Sequence, residues 1–257
     1  MANKIEINLD KDEIILTKDD AQKKLNIYSD EGFYYLSELW LKVGWNQKYP
    51  YSFSWYGRPI IQAPEDIVRT QEVIYEIQPD VIIETGVAHG GSAVFYASLL
   101  KGYGGRCVVA VDIEIRPHNR SAIEEHPLSG MINLIEGSST DKKTVDMVSK
   151  HIQPNDKVLV ILDSNHSYEH VKKELSLYKN FVSVGSYIVA TDGSMEILHD
   201  VPRGDDSWVS DNPSKAAREF DNQHDDFILE QPEWPFNESN LSKNITHWPD
   251  AWLRRVK

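Results

Sequence analysis

The stretch from Val81 to Ser92 constrains the fold of this chain more than any other part of its sequence. A β-branched run, Val81–Ile83, is followed by an acid, Glu84, and then by a glycine-rich turn. The next segment, Ala93–Leu100, is apolar and has the composition of a buried helix. This succession predicts a strand, a tight loop and a helix N-terminus, which is where open α/β sheets bind nucleotide-like ligands. A tight turn without a ligand is the alternative.

The glycine spacing in this loop narrows the class of ligand. A P-loop requires a lysine directly after its last glycine, and the loop contains no lysine. A dinucleotide-binding loop reads G-x-G-x-x-G, whereas this loop reads Gly86-x-x-x-Gly90-Gly91. An acid two residues before the first glycine suits a ligand with a cationic amino-acid end and an adenosine end, as in S-adenosylmethionine (SAM). The residues predicted to contact this cofactor are Glu84, Gly86, Ala88, His89, Gly90 and Ser92.

Short apolar runs recur after this loop, separated by segments with helical patterns. Such nearly continuous runs are typical of parallel strands that are covered on both faces. Phe227–Glu230 and Lys243–His247 are predicted to add an antiparallel pair at one edge. The predicted fold is therefore α/β, with a doubly wound, mostly parallel seven-stranded sheet of the Rossmann-like kind. The predicted parallel strands are Val81–Ile83, Cys107–Val111, Met131–Ile135, Val158–Leu162 and Tyr187–Ala190.

The segments outside the predicted sheet suggest a cap and an active-site loop. Residues 1–60 mix aromatic side chains with helix formers, and we predict a helical and aromatic cap that serves as a lid or in oligomerisation. Residues 61–257 form the predicted SAM-binding domain, and its first helix opens at Pro64 with acids in the first turn. Met195–Asn212 is mostly polar and is predicted to be an active-site loop, followed by a helix over Ser214–Phe220.

Composition excludes several classes of protein. The 257 residues carry a formal net charge of -13, which argues against nucleic acid as a partner. The single cysteine, Cys107, excludes a disulfide framework and any zinc site built from several thiolates. No apolar run approaches the length of a membrane span, and the charged N-terminal segment lacks the apolar core of a signal peptide. We therefore expect a cytoplasmic protein.

Polar residues that directly follow the predicted strands are the candidates for ligand binding, because ligands lie beyond the carboxyl ends of strands in such sheets. Asp112 follows the second strand and is predicted to bind the ribose hydroxyls, although a helix N-cap is the alternative. Ser138 and Ser139 follow the third strand, where small side chains would let an adenine ring approach the backbone. Asp163 and Asp192 follow the fourth and fifth strands. If those strands are neighbours, the two carboxylates converge, and oxygen-only ligands favour Mg²⁺.

His166 lies three residues after Asp163 and is predicted to be a general base, since histidine titrates near neutral pH. Taken alone, Asp163 could simply cap a helix, and His166 could simply be a surface histidine. An iron site built from Asp163, His166 and His170 is a further alternative, as is the His224-x-Asp226 motif.

Three joint motifs resemble the cephalosporin hydroxylase / rhamnosyl O-methyltransferase family. They are Glu84–Ser92, Leu162–Val171, and Pro202–Asp205 together with Asp211–Pro213, and the resemblance runs from about Tyr51 to Arg255. This resemblance implies a class I SAM-dependent methyltransferase fold. The family is also similar to sugar O-methyltransferases that use Mg²⁺.

The resemblance also implies roles for individual residues. Asp163 and Asp192 would bind the metal, Asp163 would also contact the cofactor and take part in catalysis, and His166 would be the base. Relatives commonly carry two acids after the fifth strand, whereas this chain has Thr191 before Asp192. The Thr191 hydroxyl or a water would then be the third ligand. The Pro202–Pro213 loop would be a lid, with His199 and Trp208 as substrate contacts.

The function expected from the sequence is Mg²⁺-assisted, SAM-dependent O-methylation of a sugar hydroxyl on a glycan, a nucleotide-sugar or a glycosylated natural product. Trp55 and Tyr56 are candidates for stacking on the sugar ring, although core packing explains aromatic residues equally well. A SAM-binding accessory subunit and an iron-dependent hydroxylase are the alternatives. Because relatives are oligomeric, we expect at least a homodimer.

Overall fold

The computed structural model describes residues 4–257 and contains one large sheet and two small ones. The strands are β1 Lys4–Asn8, β2 Glu13–Lys18, β3 Ala21–Asn26, β4 Phe53–Trp55, β5 Arg58–Ile60, β6 Val81–Thr85, β7 Cys107–Asp112, β8 Ile132–Glu136, β9 Val158–Leu162, β10 Tyr187–Ala190, β11 Phe227–Leu229 and β12 Trp252–Arg255. The α-helices are α1 Asp30–Asn46, α2 Pro64–Ile77, α3 Gly91–Tyr103, α4 Pro117–Glu124, α5 Lys142–Ser149, α6 Tyr168–Tyr178, α7 Met195–Leu198 and α8 Pro213–Gln223.

The large sheet has seven strands in the order β11-β12-β10-β9-β6-β7-β8. Neighbouring strands from β10 to β8 are parallel, and β12 runs antiparallel to both β10 and β11. The chain moves outward from β6 through β7 to β8 and then returns to β9 on the other side of β6. This reversal places the topological switch point between β6 and β9, where ligands bind in open α/β sheets. The predicted doubly wound, mostly parallel fold is confirmed.

Burial on both faces explains why the central strands could be recognised as apolar runs. Every residue of β6 and β9 is buried. Ile82 faces a core cluster that includes residues of α2 and α3, and Ile83 faces a second cluster that includes residues of α6 and α8. No helix of the described residues is long and apolar enough to cross a membrane.

The prediction of a strand over Lys243–His247 was wrong, because the strand that pairs with β10 and β11 is β12. Side chains hold the 243–247 backbone instead: the Lys243 N–H donates to the Tyr34 hydroxyl at 2.8 Å, and the His247 N–H donates to Asp66 at 3.0 Å. Leu253 of β12 is completely buried. Burial of its apolar residues in the core therefore favours β12, rather than residues 243–247, as the strand in this position.

The predicted helical cap is helical over α1 and a short 3-10 turn, Tyr49–Ser52, whereas residues 4–26 form a three-stranded antiparallel sheet in the order β1-β2-β3. Apolar residues of β1 and β2 pair across the strands, as Ile5 does with Leu16 and Ile7 with Ile14. Helix α1 begins after Ser29, whose side chain accepts a hydrogen bond from the Gly32 N–H. The aromatic segment that follows α1 ends in the β4–β5 hairpin.

Candidate cofactor and metal site

A cleft of about 490 Å³ lies at the carboxyl ends of β6, β7, β8 and β9. This volume is typical of small-molecule sites, which span roughly 300–1,000 Å³. A larger hollow of about 770 Å³ borders α2 elsewhere, and none of the predicted site residues lines it. The cleft is lined by Gly86, Ala88, Val111, Asp112, Ile113, Ser138, Ser139, Thr140, Asp163, Ser164, Asn165 and His170. It therefore brings together predicted cofactor residues from four strand ends.

The glycine-rich loop approaches the end of β9 so closely that only glycine fits at its first position. Gly86 has a φ of +96°, and a Cβ there would lie 2.0 Å from the Asp163 carbonyl oxygen. Ala88 also has a positive φ, of +44°, which is unusual for a residue with a side chain. Gly90 caps the N-terminus of α3 with a φ of +79°. Glycine thus supplies two of the three left-handed positions in this loop, and at Ala88 the surrounding contacts must hold the backbone.

Asp112 is one of the groups that hold this loop. Its Oδ2 accepts hydrogen bonds from the Val87 N–H at 2.8 Å and the Ala88 N–H at 3.2 Å, and its Oδ1 accepts from the Glu114 N–H at 3.2 Å. The Asp112 carboxylate also lines the cleft. A ribose bound there would hydrogen-bond to a carboxylate that already accepts from the loop amides.

Arg58 and Asn119 hold the same loop from the other side. The Arg58 guanidinium donates to the His89 carbonyl, with Nε at 3.0 Å, and to Asn119 Oδ1 at 3.2 Å. The Asn119 amide donates to the Ala88 carbonyl at 2.8 Å. No spacing in the sequence signals these two residues, because β5 and α4 lie on opposite sides of the loop in the chain.

Glu84 is completely buried at the end of β6. Within residues 4–257, neither of its carboxylate oxygens has a hydrogen-bond partner. Burial raises the pKa of Glu84 well above its ordinary value, and the Asp163 and Asp112 charges add to the rise. The Ser92 hydroxyl is near enough to oppose this rise, although it is not in hydrogen-bonding geometry. A buried acid without partners fits a cationic ligand group, such as the amino group of SAM.

His170 belongs to a polar cluster at the β8 side of the cleft. Its Nε2 lies 3.1 Å from Ser139 Oγ, 3.2 Å from Ser164 Oγ and 3.4 Å from Glu174 Oε1. Ser164 also donates to Glu174 at 2.8 Å. The alternative iron triad of Asp163, His166 and His170 is therefore not formed, because His170 turns toward this cluster. The other iron motif is also not assembled: the His224 ring stacks on Phe220 at 4.0 Å.

Asp163, His166 and Asp192 form the one cluster within residues 4–257 whose ligand atoms could hold a metal ion together, all lying within 4.8 Å of one another. His166 Nε2 is 3.4 Å from Asp192 Oδ2 and 4.0 Å from Asp163 Oδ1. Burial, followed by the Asp192 charge, raises the pKa of Asp163, whereas His166 lowers it. Two converging carboxylates, of which the Asp192 charge helps to raise the pKa of Asp163, fit a hard divalent cation, which would neutralise them.

Thr191 is completely buried beside this cluster. Its hydroxyl lies 2.7 Å from Asp163 Oδ1 and 2.9 Å from the Leu162 carbonyl oxygen. The hydroxyl therefore orients the Asp163 carboxylate from behind. Gln62 lines a smaller hollow that adjoins the cleft at Asp163, and neither polar atom of its amide is in hydrogen-bonding geometry with a described residue. Sequence reasoning missed Gln62, since a lone glutamine before a helix carries no signal.

The four predicted substrate residues fall into two groups. Trp208 and His199 lie in or beside the loop after β10, and the Trp208 ring is 6.2 Å from that of Trp45. Trp55 packs against Phe95 of α3 at 4.9 Å and donates its indole N–H to Ser98. Tyr56 is 70% exposed at the turn of the β4–β5 hairpin. The geometry thus favours core packing for Trp55.

A family model described as Rhamnosyl O-methyltransferase/CmcI matches residues 47–256. The chain is 30% identical over 166 residues to a rhamnosyl O-methyltransferase of Mycobacterium bovis. This matched segment covers 63% of this chain and 62% of the relative. A rhamnosyl O-methyltransferase of Mycobacterium leprae is 29% identical, covering 58% and 64%. The chain thus spans less than two thirds of the length of these relatives.

A solved structure of CmcI, described with Mg and SAM, superposes with a TM-score of 0.53 at 18% identity, covering 80% of this chain and 78% of the other. This likeness identifies the fold as that of class I SAM-dependent methyltransferases. Together with the family match over residues 47–256, it shows that the chain is a member of the rhamnosyl O-methyltransferase/CmcI family.

Proposed function

We propose that the protein is a SAM-dependent, Mg²⁺-assisted O-methyltransferase that acts on a sugar hydroxyl. One observation carries this proposal: Asp163 both lines the cofactor cleft and belongs to the cluster with His166 and Asp192. A methyl donor in the cleft and a hydroxyl at the cluster would therefore be neighbours. The relatives named rhamnosyl O-methyltransferase support a sugar acceptor, and the CmcI structure described with Mg and SAM supports the cofactors.

Different residues of the chain would bind the amino-acid end, the ribose and the adenine of SAM, and the metal ion. Glu84 offers its carboxylate to the amino group of SAM, and Asp112 offers the ribose hydroxyls an acceptor that also holds the loop. Ser138 and Ser139, with His170, line the part of the cleft that is left for adenine. Asp163 and Asp192 would hold Mg²⁺, and the Thr191 hydroxyl or water would supply a further ligand.

His166 is the proton acceptor in the proposed reaction. A bound Mg²⁺ would lower the pKa of the acceptor hydroxyl. His166 Nε2 takes the hydroxyl proton as the oxygen forms its bond to the methyl carbon; the carbon–sulfur bond breaks, and its electron pair stays on sulfur. Asp192, 3.4 Å from Nε2, stabilises the imidazolium that results. The short distances among His166, Asp163 and Asp192 support a base and metal ligands that act on the same acceptor hydroxyl.

The remaining parts of the proposal concern partners and surroundings. We propose a small-molecule or glycan acceptor, a homo-oligomer of at least two copies, no nucleic-acid partner and a cytoplasmic location. A net charge of -13 supports the exclusion of nucleic acid. The lid over the acceptor would be the 199–213 loop, in which His199 and Trp208 remain the proposed substrate contacts.

Calorimetric titration of the EDTA-treated protein with SAM, with and without Mg²⁺, tests the proposal beside an Asp163→Ala variant. We expect SAM to bind the wild type and Mg²⁺ to bind the wild type but not the variant. Absence of SAM binding would overturn the methyltransferase assignment. SAM binding without any Mg²⁺ response would retain the cofactor and remove the metal from the mechanism.

A further inference from the structure

The loop that carries Asp192 has an unfavourable backbone conformation. Asp192 directly follows Thr191 at the end of β10 and adopts a φ of +59°, in the left-handed region that aspartate enters more readily than most residues but less readily than glycine. Such a conformation persists only where surrounding contacts fix it. The position of a proposed metal ligand therefore depends on groups outside its own strand.

Ser194 supplies the nearest of these contacts. Its N–H donates to the His247 carbonyl at 3.0 Å, and its hydroxyl lies 3.2 Å from His247 Nδ1. On the other side, Gly193 lies so close to Ser214 that a Cβ would be 2.0 Å from the Ser214 hydroxyl. The loop is thus fixed between α8 and the segment around His247.

His247 is itself fixed by a buried carboxylate of α2. Its N–H donates to Asp66 Oδ2 at 3.0 Å, and the Thr246 hydroxyl donates to Asp66 Oδ1. Asp66, Ser194 and His247 are 3%, 2% and 6% exposed. Burial lowers the pKa of His247, and its Nδ1 shares a hydrogen bond with the Ser194 hydroxyl. Together Asp66, His247 and Ser194 form a chain of hydrogen bonds that ends two residues from Asp192.

We propose that His247, held by Asp66, is a positioning residue that sets Asp192 for metal binding through Ser194. The inference rests on the proposed function, because it takes Asp192 as a metal ligand. Partners behind the ligands of a metal site alter metal affinity by about 10–100-fold when they are removed. In this chain the loop after β10 offers one carboxylate, since Thr191 precedes Asp192. A small displacement of Asp192 would therefore remove a large part of what the loop contributes to metal binding.

The test compares Mg²⁺ affinity, SAM affinity and thermal midpoint among matched serine and histidine variants. Ser194→Ala removes only the hydroxyl at the end of the chain. His247→Asn keeps a polar atom close to the position of Nδ1, whereas His247→Leu removes it. Ser186→Ala is the matched control: Ser186 is also completely buried, immediately before β10, and its hydroxyl has no partner among the described residues.

We expect Ser194→Ala and His247→Leu to weaken Mg²⁺ binding by about tenfold while SAM affinity stays within about twofold. His247→Asn should recover most of the loss, and Ser186→Ala should bind Mg²⁺ like the wild type. If His247→Leu does not fold, Ser194→Ala and His247→Asn still decide the question.

Three results would overturn the proposal, and they differ in whether the proposed metal site is rejected with it. Wild-type Mg²⁺ binding with an unchanged affinity in Ser194→Ala would reject the positioning role and leave the proposed function intact. SAM binding without Mg²⁺ binding in the wild type would reject the metal site and the positioning role together. Equal losses in Ser194→Ala and Ser186→Ala would reject it as well, because the effect would then be one of general destabilisation.

Discussion

The buried Glu84 side chain opposes folding, because a carboxyl group without hydrogen-bond partners has lost its hydration and gained nothing in return. A bound ligand can offset this cost if it supplies the missing hydrogen-bond donor. Glu84→Gln removes the charge and keeps the shape, so we expect a thermal midpoint equal to or above that of the wild type. SAM affinity should fall by about 10–100-fold, the range expected for one hydrogen bond to a charged group.

The control for this prediction is a ligand that lacks the amino-acid end. Calorimetry with 5′-methylthioadenosine should give the same affinity for the wild type and for Glu84→Gln, whereas SAM and S-adenosylhomocysteine should both discriminate. Equal losses for all three ligands would show that the substitution disturbs the cleft as a whole, and Glu84 would then have no specific role toward the amino group.

Asp66 makes the stability of the fold depend on pH. Burial raises the pKa of Asp66 from an ordinary 3.8 to about 7, against the hydrogen bonds from Thr246 and His247, while the Asp192 and Glu65 charges add to the rise. Between these values the unfolded chain loses its proton and the folded chain keeps it. The stabilisation is therefore complete below about pH 4 and is lost as the pH rises through 7.

Asp66→Asn should remove this dependence, because an amide can accept from the His247 N–H and donate to Thr246 without ionising. We expect the variant to gain stability relative to the wild type from about pH 5 to pH 7, by at most about 1.4 kcal/mol per pH unit. Urea unfolding at several pH values, with EDTA present, measures the difference. Parallel curves for the two proteins would contradict a raised pKa at this residue.

At the scale of single residues, the sequence allowed the position of an acid to be predicted but not its hydrogen bonds. Glu84, Asp163 and Asp192 could be found because each ends or follows an apolar run and such ends meet at one edge of the sheet. The engagement of Asp112 with the loop amides depends on the register between β6 and β7. Thr191 orients Asp163 because β9 and β10 are neighbours, and His247 lies in a distant part of the chain. These contacts leave no local pattern.

The cofactor loop depends on its neighbours for its conformation, since Ala88 carries a positive φ. Arg58 of β5 binds the His89 carbonyl, and so connects the hairpin before the sheet to the loop. Arg58→Ala should release the loop and weaken SAM binding by about tenfold, because a charge-assisted hydrogen bond contributes roughly 1.5–3 kcal/mol and exposure reduces it.

Arg120→Ala is the matched control for Arg58→Ala. Arg120 lies on α4 and pairs at the surface with Glu124 and Glu136, where ion pairs contribute little. Its removal should leave SAM affinity unchanged in the same calorimetric titration. A loss in Arg120→Ala as large as that in Arg58→Ala would attribute the effect to net charge rather than to the loop.

Elements that are buried on both faces could be predicted, and those that are stabilised by side-chain contacts could not. The runs that became β6 and β9 are apolar throughout, so their pattern alone indicates parallel strands. The three strands of residues 4–26 are mostly exposed and bury few apolar side chains, among them Ile14 and Leu25. Charged residues at exposed positions obscure their alternation. The 243–247 segment has the composition of a strand, but side-chain acceptors hold its backbone.

At the scale of the whole molecule, helix α1 links the N-terminal segment to the loop after β10. Lys42 donates to Asp200 at 2.9 Å, and its side chain is 7% exposed. Arg203 donates to the Trp45 carbonyl at 2.7 Å and lies over the Trp45 ring at 5.2 Å. Two basic groups thus join α1 to the proposed lid from opposite sides. By contrast, the β1–β3 sheet makes its buried contacts near the start of α1, where Gly32 approaches the Asn26 carbonyl.

These contacts predict that the functional boundary of the domain lies before α1 rather than near residue 60. Deletion of residues 1–26 should leave SAM affinity within about twofold of the full chain, because no clamp of the loop or lid is removed. Deletion of residues 1–47 also removes Lys42 and Trp45, and the lid would lose the contacts with α1 that these two residues make. In this second variant, amide hydrogen exchange should accelerate across residues 199–209, as expected for a segment that has lost the contacts holding it. Unfolding of the shorter deletion would instead make the β1–β3 sheet part of the core, and unchanged exchange in the longer deletion would show that the lid is held without α1.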